Sequence, residues 1–103
     1  MTRPEKVTVV EVGPRDGLQN ESAEIPVAAK VRLIRALADA GLPVVEAGAF
    51  VSPKWVPQMA GSAQVLAELP LDGPTRFPVL VPNDTGLERA RAAGAREIAV
   101  FGA

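Results

Sequence analysis

The sequence has no cysteine and no histidine among its 103 residues. Without cysteine there is no disulfide framework and no thiolate metal site, and without histidine the most common general base and transition-metal ligand is missing. Catalytic sets of the Ser-His-Asp or Cys-His type cannot be assembled from these residues. Any metal that this chain binds must therefore be a hard cation with oxygen ligands.

An excess of positive charge is also missing, because 11 lysine and arginine residues face 12 aspartate and glutamate residues, for a net charge of −1. Without a basic surplus, nucleic acid and anionic membranes are not expected as partners. No apolar run approaches the ~20 residues of a membrane span, and the segment from Met1 to Lys6 is too short and polar for a secretory signal. We expect a cytoplasmic protein with one domain at most.

Strand-like segments alternate with amphipathic segments along the chain. The β-branched, apolar pattern typical of buried parallel strands covers residues 6–12, 42–46, 76–81 and 97–101. Helical periodicity covers residues 26–40, 61–69 and 84–94, with Pro26 in a first turn, Gly41 as a C-cap and Asn83 as an N-cap. On the first helix, Lys30 and Arg35 are expected on the polar face, opposite the apolar positions.

This β-α-β-α-β-α-β order predicts an α/β fold with about four parallel strands and outer helices. An open doubly wound sheet and part of an eight-stranded barrel both fit the order. A barrel typically takes about 250 residues, so this chain would be roughly the N-terminal half of a (β/α)₈ TIM barrel. Residues 1–103 are then a single partial domain, and the end of the chain directly after a predicted strand indicates a fragment.

Functional groups in parallel α/β folds collect where the strands end, and two of these places carry charge. The loop after the first strand holds Arg15 and Asp16 between two glycines, and Glu46 ends the second strand. An aspartate there suits Mg²⁺ or Mn²⁺, and the arginine can stabilise an enolate or bind a carbonyl oxygen. The two charges could also simply neutralise each other.

Other polar and aromatic residues near the strand ends favour structural roles. Glu11 is expected to face the barrel interior or to pair with Arg15, and Asn83 and Asp84 to begin a helix. Trp55 lies in an extended loop between two prolines, where it either packs on the rim or a helix, or forms a wall of a substrate pocket. No glycine-rich phosphate-binding motif is present.

The segments Glu11–Glu21, Glu46, Phe50–Met59 and Val100–Ala103 closely resemble the hydroxymethylglutaryl-CoA lyase family. The shorter Arg-Asp-Gly core is shared by a wider group of metal-dependent barrels that make or break carbon–carbon bonds beside carbonyls. The resemblance implies a TIM barrel that cleaves 3-hydroxy-3-methylglutaryl-CoA to acetoacetate and acetyl-CoA with Mg²⁺ or Mn²⁺. It implies Asp16 as a catalytic metal ligand, Arg15 as a catalytic residue beside the thioester, and Arg15, Gln19 and Glu46 as substrate-binding residues.

The family completes its metal site with two histidines and an asparagine from later strands, and it uses a cysteine on a glycine-rich loop. This chain lacks these residues, so we expect the isolated polypeptide to be inactive. The resemblance also implies that the full-length enzyme is a homo-oligomer and that it binds an acyl-CoA substrate. Two alternatives stay open. One is a related synthase or aldolase acting on acyl-CoA or 2-oxo acids, and the other is a non-catalytic half-barrel whose unpaired edges associate.

Overall fold

The computed structural model describes residues 3–52 and 54–100. The strands are short and all of their pairings are parallel. They are β1 (Val10–Glu11), β2 (Val44–Val45), β3 (Gly48–Ala49), β4 (Val79–Leu80) and β5 (Ile98–Ala99), and the helices are α1 (Val27–Asp39), α2 (Ser62–Ala67) and α3 (Asp84–Ala92). None of the helices in the described residues is long and apolar enough to cross a membrane.

The strands lie side by side in the order in which they occur along the chain. β1 pairs with β2, and β3, β4 and β5 pair in succession. β2 and β3 belong to one buried run, because the amides of Val45 and Ala47 both donate across to the segment that leads into β4. A doubly wound sheet reverses its strand order at a switch point, whereas a barrel adds each strand beside the previous one. Of the two predicted architectures, this order favours the barrel.

The helices begin and end close to the predicted residues because their signals are local. Pro26 lies directly before α1, and Gly41 follows the helix with a positive φ of 100°, which glycine adopts without strain. The side chain of Asn83 caps α3 by accepting from the amide of Gly86 at 2.8 Å, as predicted. The main core lies between the helices and the sheet and includes Ile34, Val45, Val65, Leu66 and Val79.

The first and last predicted strands are shorter than expected and are not buried on both faces. Only Val10 and Glu11 of the first segment pair, and the side chains of Val7 and Val9 are 79 % and 56 % exposed. Val100, after β5, is 72 % exposed, while Phe101, Gly102 and Ala103 lie outside the described residues. β-Branched composition favours a strand, but burial needs neighbours on both sides, and β1 and β5 each have one neighbour in the described part of the chain.

Candidate active site

The loop after β1 is a wide helical turn rather than irregular chain. Residues Gly13–Gly17 form it, with Pro14 near its start, and the amides of Asp16 and Gly17 both donate to the carbonyl of Val12. Proline suits this position because its φ is already helical and the lost N–H would have no helical partner there. The turn rises from the end of β1 and carries Arg15 and Asp16 on its middle residues.

Arg15 lies between two carboxylates. Its Nε atom donates to Oε1 of Glu46 at 2.6 Å, and its Nη1 atom lies 3.3 Å from Oδ1 of Asp16. The side chains of Arg15 and Glu46 are 18 % and 8 % exposed, whereas that of Asp16 is 54 % exposed. The structure therefore brings together three of the four predicted site residues. One positive charge against two negative charges leaves this cluster net negative, with the more exposed carboxylate, that of Asp16, facing solvent.

Glu11 does not form the predicted ion pair with Arg15. Its Oε1 atom instead accepts from the amide of Gly13 at 3.1 Å, so the carboxylate fixes the start of the helical turn. A Cβ atom at position 13 would lie 2.7 Å from the same oxygen, so a larger residue there would displace the Glu11 carboxylate from this contact. Glu46, on the neighbouring strand, takes the place beside Arg15 that the sequence analysis considered for Glu11.

Gln19 follows the turn, four residues after Arg15 along the chain. Its Oε1 atom is buried and has no hydrogen-bond partner among the described residues. A buried acceptor without a donor costs free energy, about 1–3 kcal/mol. Such an atom near a charged cluster is a candidate contact for a bound molecule that carries a donor.

Metal ligands are scarce in this part of the molecule. The described residues contain no group of three or more Asp, Glu, His or Cys side chains that could hold an ion together. Asp16 offers one exposed carboxylate, while Glu46 is occupied by Arg15 and Glu11 by the amide of Gly13. Magnesium and manganese need about six ligands in a regular geometry, so these residues alone do not make a complete site.

Trp55 is 80 % exposed, so the predicted packing against the rim or a helix is wrong for the described residues, and the alternative, a wall of a substrate pocket, stays a prediction. The expected extended loop is instead a turn at residues 54–55 followed by a short 3₁₀-helix at Pro57–Met59, and Pro53 lies outside the described residues. The amides of Trp55 and Val56 both donate to the carbonyl of Ser52 at 3.0 Å. The backbone of this loop is therefore fixed while the indole faces solvent.

Lys30 was predicted on the polar face of α1, but its side chain is buried. Its Nζ atom donates to the carbonyl oxygens of Gln58 and of Ala60, the latter at 3.2 Å. Burial lowers the pKa of the Lys30 ammonium below its usual value, and the charge of Glu24 partly opposes this effect. Its spacing could have revealed the burial, since position 30 lies three residues after Val27 and four before Ile34, within the apolar stripe.

Comparisons with known proteins identify the family of this chain. Residues 6–103 match the sequence profile of the HMGL-like family. The chain belongs to this family. The mitochondrial hydroxymethylglutaryl-CoA lyase of Mus musculus is 57 % identical to it over 102 residues, which are 99 % of this chain and 31 % of the mouse protein.

Two solved structures of HMG-CoA lyases are similar to this chain in their three-dimensional fold. The Pseudomonas aeruginosa enzyme superposes with a TM-score of 0.90 at 55 % identity over 95 % of this chain and 33 % of its own. The Acinetobacter baumannii enzyme, solved with coenzyme A and 3-methylmalate, gives a TM-score of 0.86 at 38 % identity over 97 % and 33 %. The fold is thus the parallel α/β arrangement of the HMG-CoA lyase barrels, and this chain spans about a third of the length of the relatives that it matches.

Proposed function

We propose that this chain supplies the Arg-Asp rim of a hydroxymethylglutaryl-CoA lyase, which cleaves 3-hydroxy-3-methylglutaryl-CoA to acetoacetate and acetyl-CoA. The observation that carries the proposal is the Arg15–Glu46 pair at 2.6 Å, formed at adjacent strand ends in a member of this family. We assign residues 1–103 to one partial domain, the first four strand positions of a (β/α)₈ barrel.

The reaction breaks the bond between C2 and C3 of the substrate after the tertiary hydroxyl loses its proton. The electron pair of that bond moves onto the thioester unit, whose enolate then takes up a proton to give acetyl-CoA. We assign Arg15 to the thioester oxygen, where a fixed cation stabilises the developing charge. The side chain of Arg15 donates through Nε to Glu46 and through Nη1 to Asp16, so within the described residues Nη2 is available to the substrate.

Glu46 and Asp16 have different tasks in this proposal. Glu46 offsets the charge of Arg15 and orients its guanidinium, which leaves the exposed carboxylate of Asp16 for a divalent cation. Bound Mg²⁺ or Mn²⁺ would make the substrate hydroxyl easier to deprotonate. Because the described residues hold no group of three ligands that could bind the ion together, the resemblance assigns the remaining ligands to later strands that this chain does not contain.

Gln19 is assigned to the substrate because its buried Oε1 atom has no partner among the described residues. The substrate hydroxyl and the pantetheine amides of coenzyme A are donors of the required kind. An acyl-CoA is the proposed ligand class, in keeping with the relative that was solved with coenzyme A. Related lyases are named for the mitochondrion and for the cytoplasm, and the cytoplasm remains our prediction for this protein.

The test is a coupled assay of acetoacetate formation by the full-length gene product with Mg²⁺ or Mn²⁺. We expect cleavage that EDTA abolishes, and a loss of about 10²–10³-fold in kcat for Arg15→Lys in a folded protein, the usual cost of removing one stabilising donor. If the full-length protein consumes acetyl-CoA together with a 2-oxo acid and does not cleave the substrate, it is the related synthase instead. The purified 103-residue chain by itself is expected to form no acetoacetate.

A further inference from the structure

A buried lysine connects α1 to the loop that precedes α2. Lys30 lies in the first turns of α1, and its ammonium donates to the carbonyls of Gln58 and Ala60. Keeping an ammonium out of water is costly unless its donors are satisfied. Such a residue fixes the backbone at the end of the rim loop, which we define as residues 50–60.

The rim loop in turn holds the segment that carries Arg15 and Asp16. The side chain of Gln58 donates through Nε2 to the carbonyl of Glu21 at 2.7 Å, across 37 residues of sequence. Lys30 therefore contacts the backbone of Gln58, and the side chain of Gln58 contacts the loop after β1. No other side-chain hydrogen bond among the described residues joins these two loops directly.

The segment from Gly13 to Glu21 is hydrogen-bonded along its length. The amide of Glu21 donates to the carbonyl of Leu18, and Nδ2 of Asn20 donates to the carbonyl of Asp16 at 2.8 Å. The segment is thus held at its start by β1 and Glu11, and at its end by Gln58. Leu18 also packs against the apolar cluster of Ala49, Met59 and Leu80. Losing the Gln58 contact would therefore remove the side-chain hydrogen bond at the end of the segment and leave that end held by apolar packing alone.

We propose that Lys30 is a positioning residue, which holds the Arg15–Asp16 segment in its working place through Gln58 and Glu21. Its effect on catalysis rests on the proposed lyase function, but the positioning itself does not. The chain also offers a matched control. Arg35, farther along α1, donates from Nε and Nη2 to the carbonyl of Glu68 at the end of α2, away from the rim.

The experiment compares Lys30→Met with Arg35→Met in the full-length gene product. Lys30→Met is expected to lower kcat/KM about tenfold to a hundredfold, since a displacement on the order of 1 Å at a reacting group has about that effect. Arg35→Met also removes a cation that binds a backbone carbonyl oxygen. This variant is expected to keep the wild-type kcat/KM, because the contact that it loses lies at the end of α2, away from the rim. Equal losses in the two variants would overturn the proposal, because Lys30 would then be a fold anchor only.

A second readout does not depend on activity. The Nε–H group of Arg15 gives its own ¹H–¹⁵N signal, which is sensitive to the 2.6 Å contact with Glu46. We expect this signal to shift or broaden in Lys30→Met and to stay in place in Arg35→Met. If the gene product shows no lyase activity, the proposed function fails, and this signal still decides whether Lys30 positions Arg15.

Gln58→Met covers the case in which Lys30→Met does not fold. This variant keeps the buried lysine and both of its backbone contacts, and it removes only the contact with Glu21. It is expected to reproduce the loss of kcat/KM and the change in the Arg15 signal, while combining it with Lys30→Met adds no further loss. A fully active Gln58→Met with an unchanged Arg15 signal would contradict the proposed connection.

Discussion

Two arginine–glutamate pairs in this molecule share the same atoms but not the same surroundings. Arg15 meets Glu46 through Nε and Oε1 at 2.6 Å, and Arg76 meets Glu97 through the same atoms at 2.5 Å. The first pair is mostly buried, whereas the side chain of Arg76 is 61 % exposed. Water screens the second pair and competes for its hydrogen bonds, so the two pairs should differ in what they contribute to stability.

Glu46→Gln is therefore expected to lower the free energy of unfolding by about 1.5–3 kcal/mol, the usual range for a hydrogen bond to a charged group. Glu97→Gln removes the same kind of charge from the exposed pair and should cost about 0–1 kcal/mol. Urea unfolding of both variants measures the difference. Equal losses would show that burial does not distinguish the pairs.

The buried ammonium of Lys30 should make stability depend on alkaline pH. Burial lowers the pKa of this lysine in the folded chain, and Glu24 is the charged group that opposes the shift, while the unfolded chain keeps the usual value of 10.5. Between the two values the unfolded state binds more protons, so the free energy of unfolding rises as the pH approaches 10.5. The neutral amine can still donate to both carbonyls, although more weakly than the ammonium, so these contacts reduce the rise without reversing it.

Urea unfolding of the wild type and of Lys30→Met at several pH values below 10.5 tests this sign. The wild type should gain stability with pH relative to the variant, because the groups that the two chains share cancel in the comparison. A difference that is constant with pH, or that falls, would contradict the effect of burial on Lys30.

The beginning of α3 packs against the rim loop through a glycine. A Cβ atom at Gly86 would lie 2.5 Å from the backbone oxygen of Phe50, which cannot move without shifting the loop. Gly86→Ala is expected to cost about 1–3 kcal/mol, the usual range for overpacking. Gly17→Ala, with nothing within 4 Å of its new methyl group, is the control and should be neutral or stabilising by thermal unfolding.

Helices and strands were predictable from the sequence to different degrees, for a physical reason. α1 was expected at 26–40 and is found at Val27–Asp39, because helical hydrogen bonds and caps are local in sequence. The first strand was expected at 6–12, and only Val10–Glu11 pairs, because a strand extends only as far as its partner. The pairing of Arg15 with Glu46, 31 residues apart, follows from strand register, which composition does not reveal.

At the scale of the whole molecule, apolar side chains remain exposed along both outer strands of the sheet. Val7 and Val9 lie before β1, and Ile98 and Val100 lie in and after β5. Each outer strand also has one open edge among the described residues, and open apolar edges pair with other chains. The isolated 103-residue chain should therefore self-associate.

Light scattering over a range of concentrations measures this association. The mass of the wild-type chain is expected to rise with concentration, and Val9→Glu should reduce the rise because charge on an edge strand opposes pairing. Leu33→Glu, on the exposed side of α1, is the matched control and should leave the association unchanged. A wild-type chain that stays monomeric at every concentration would show that these strand edges do not mediate self-association.

The strand order has a consequence for biosynthesis. When β2 and β3 are counted as one run, each strand lies beside the strand that precedes it along the chain. No later segment has to be inserted between two earlier strands of this sheet. As the polypeptide leaves the ribosome, each new β-α unit can dock onto an edge that already exists. The sheet can thus be assembled from its amino terminus onward, and the Arg15–Glu46 contact needs only β1, β2 and the helix between them, all within the first half of the chain.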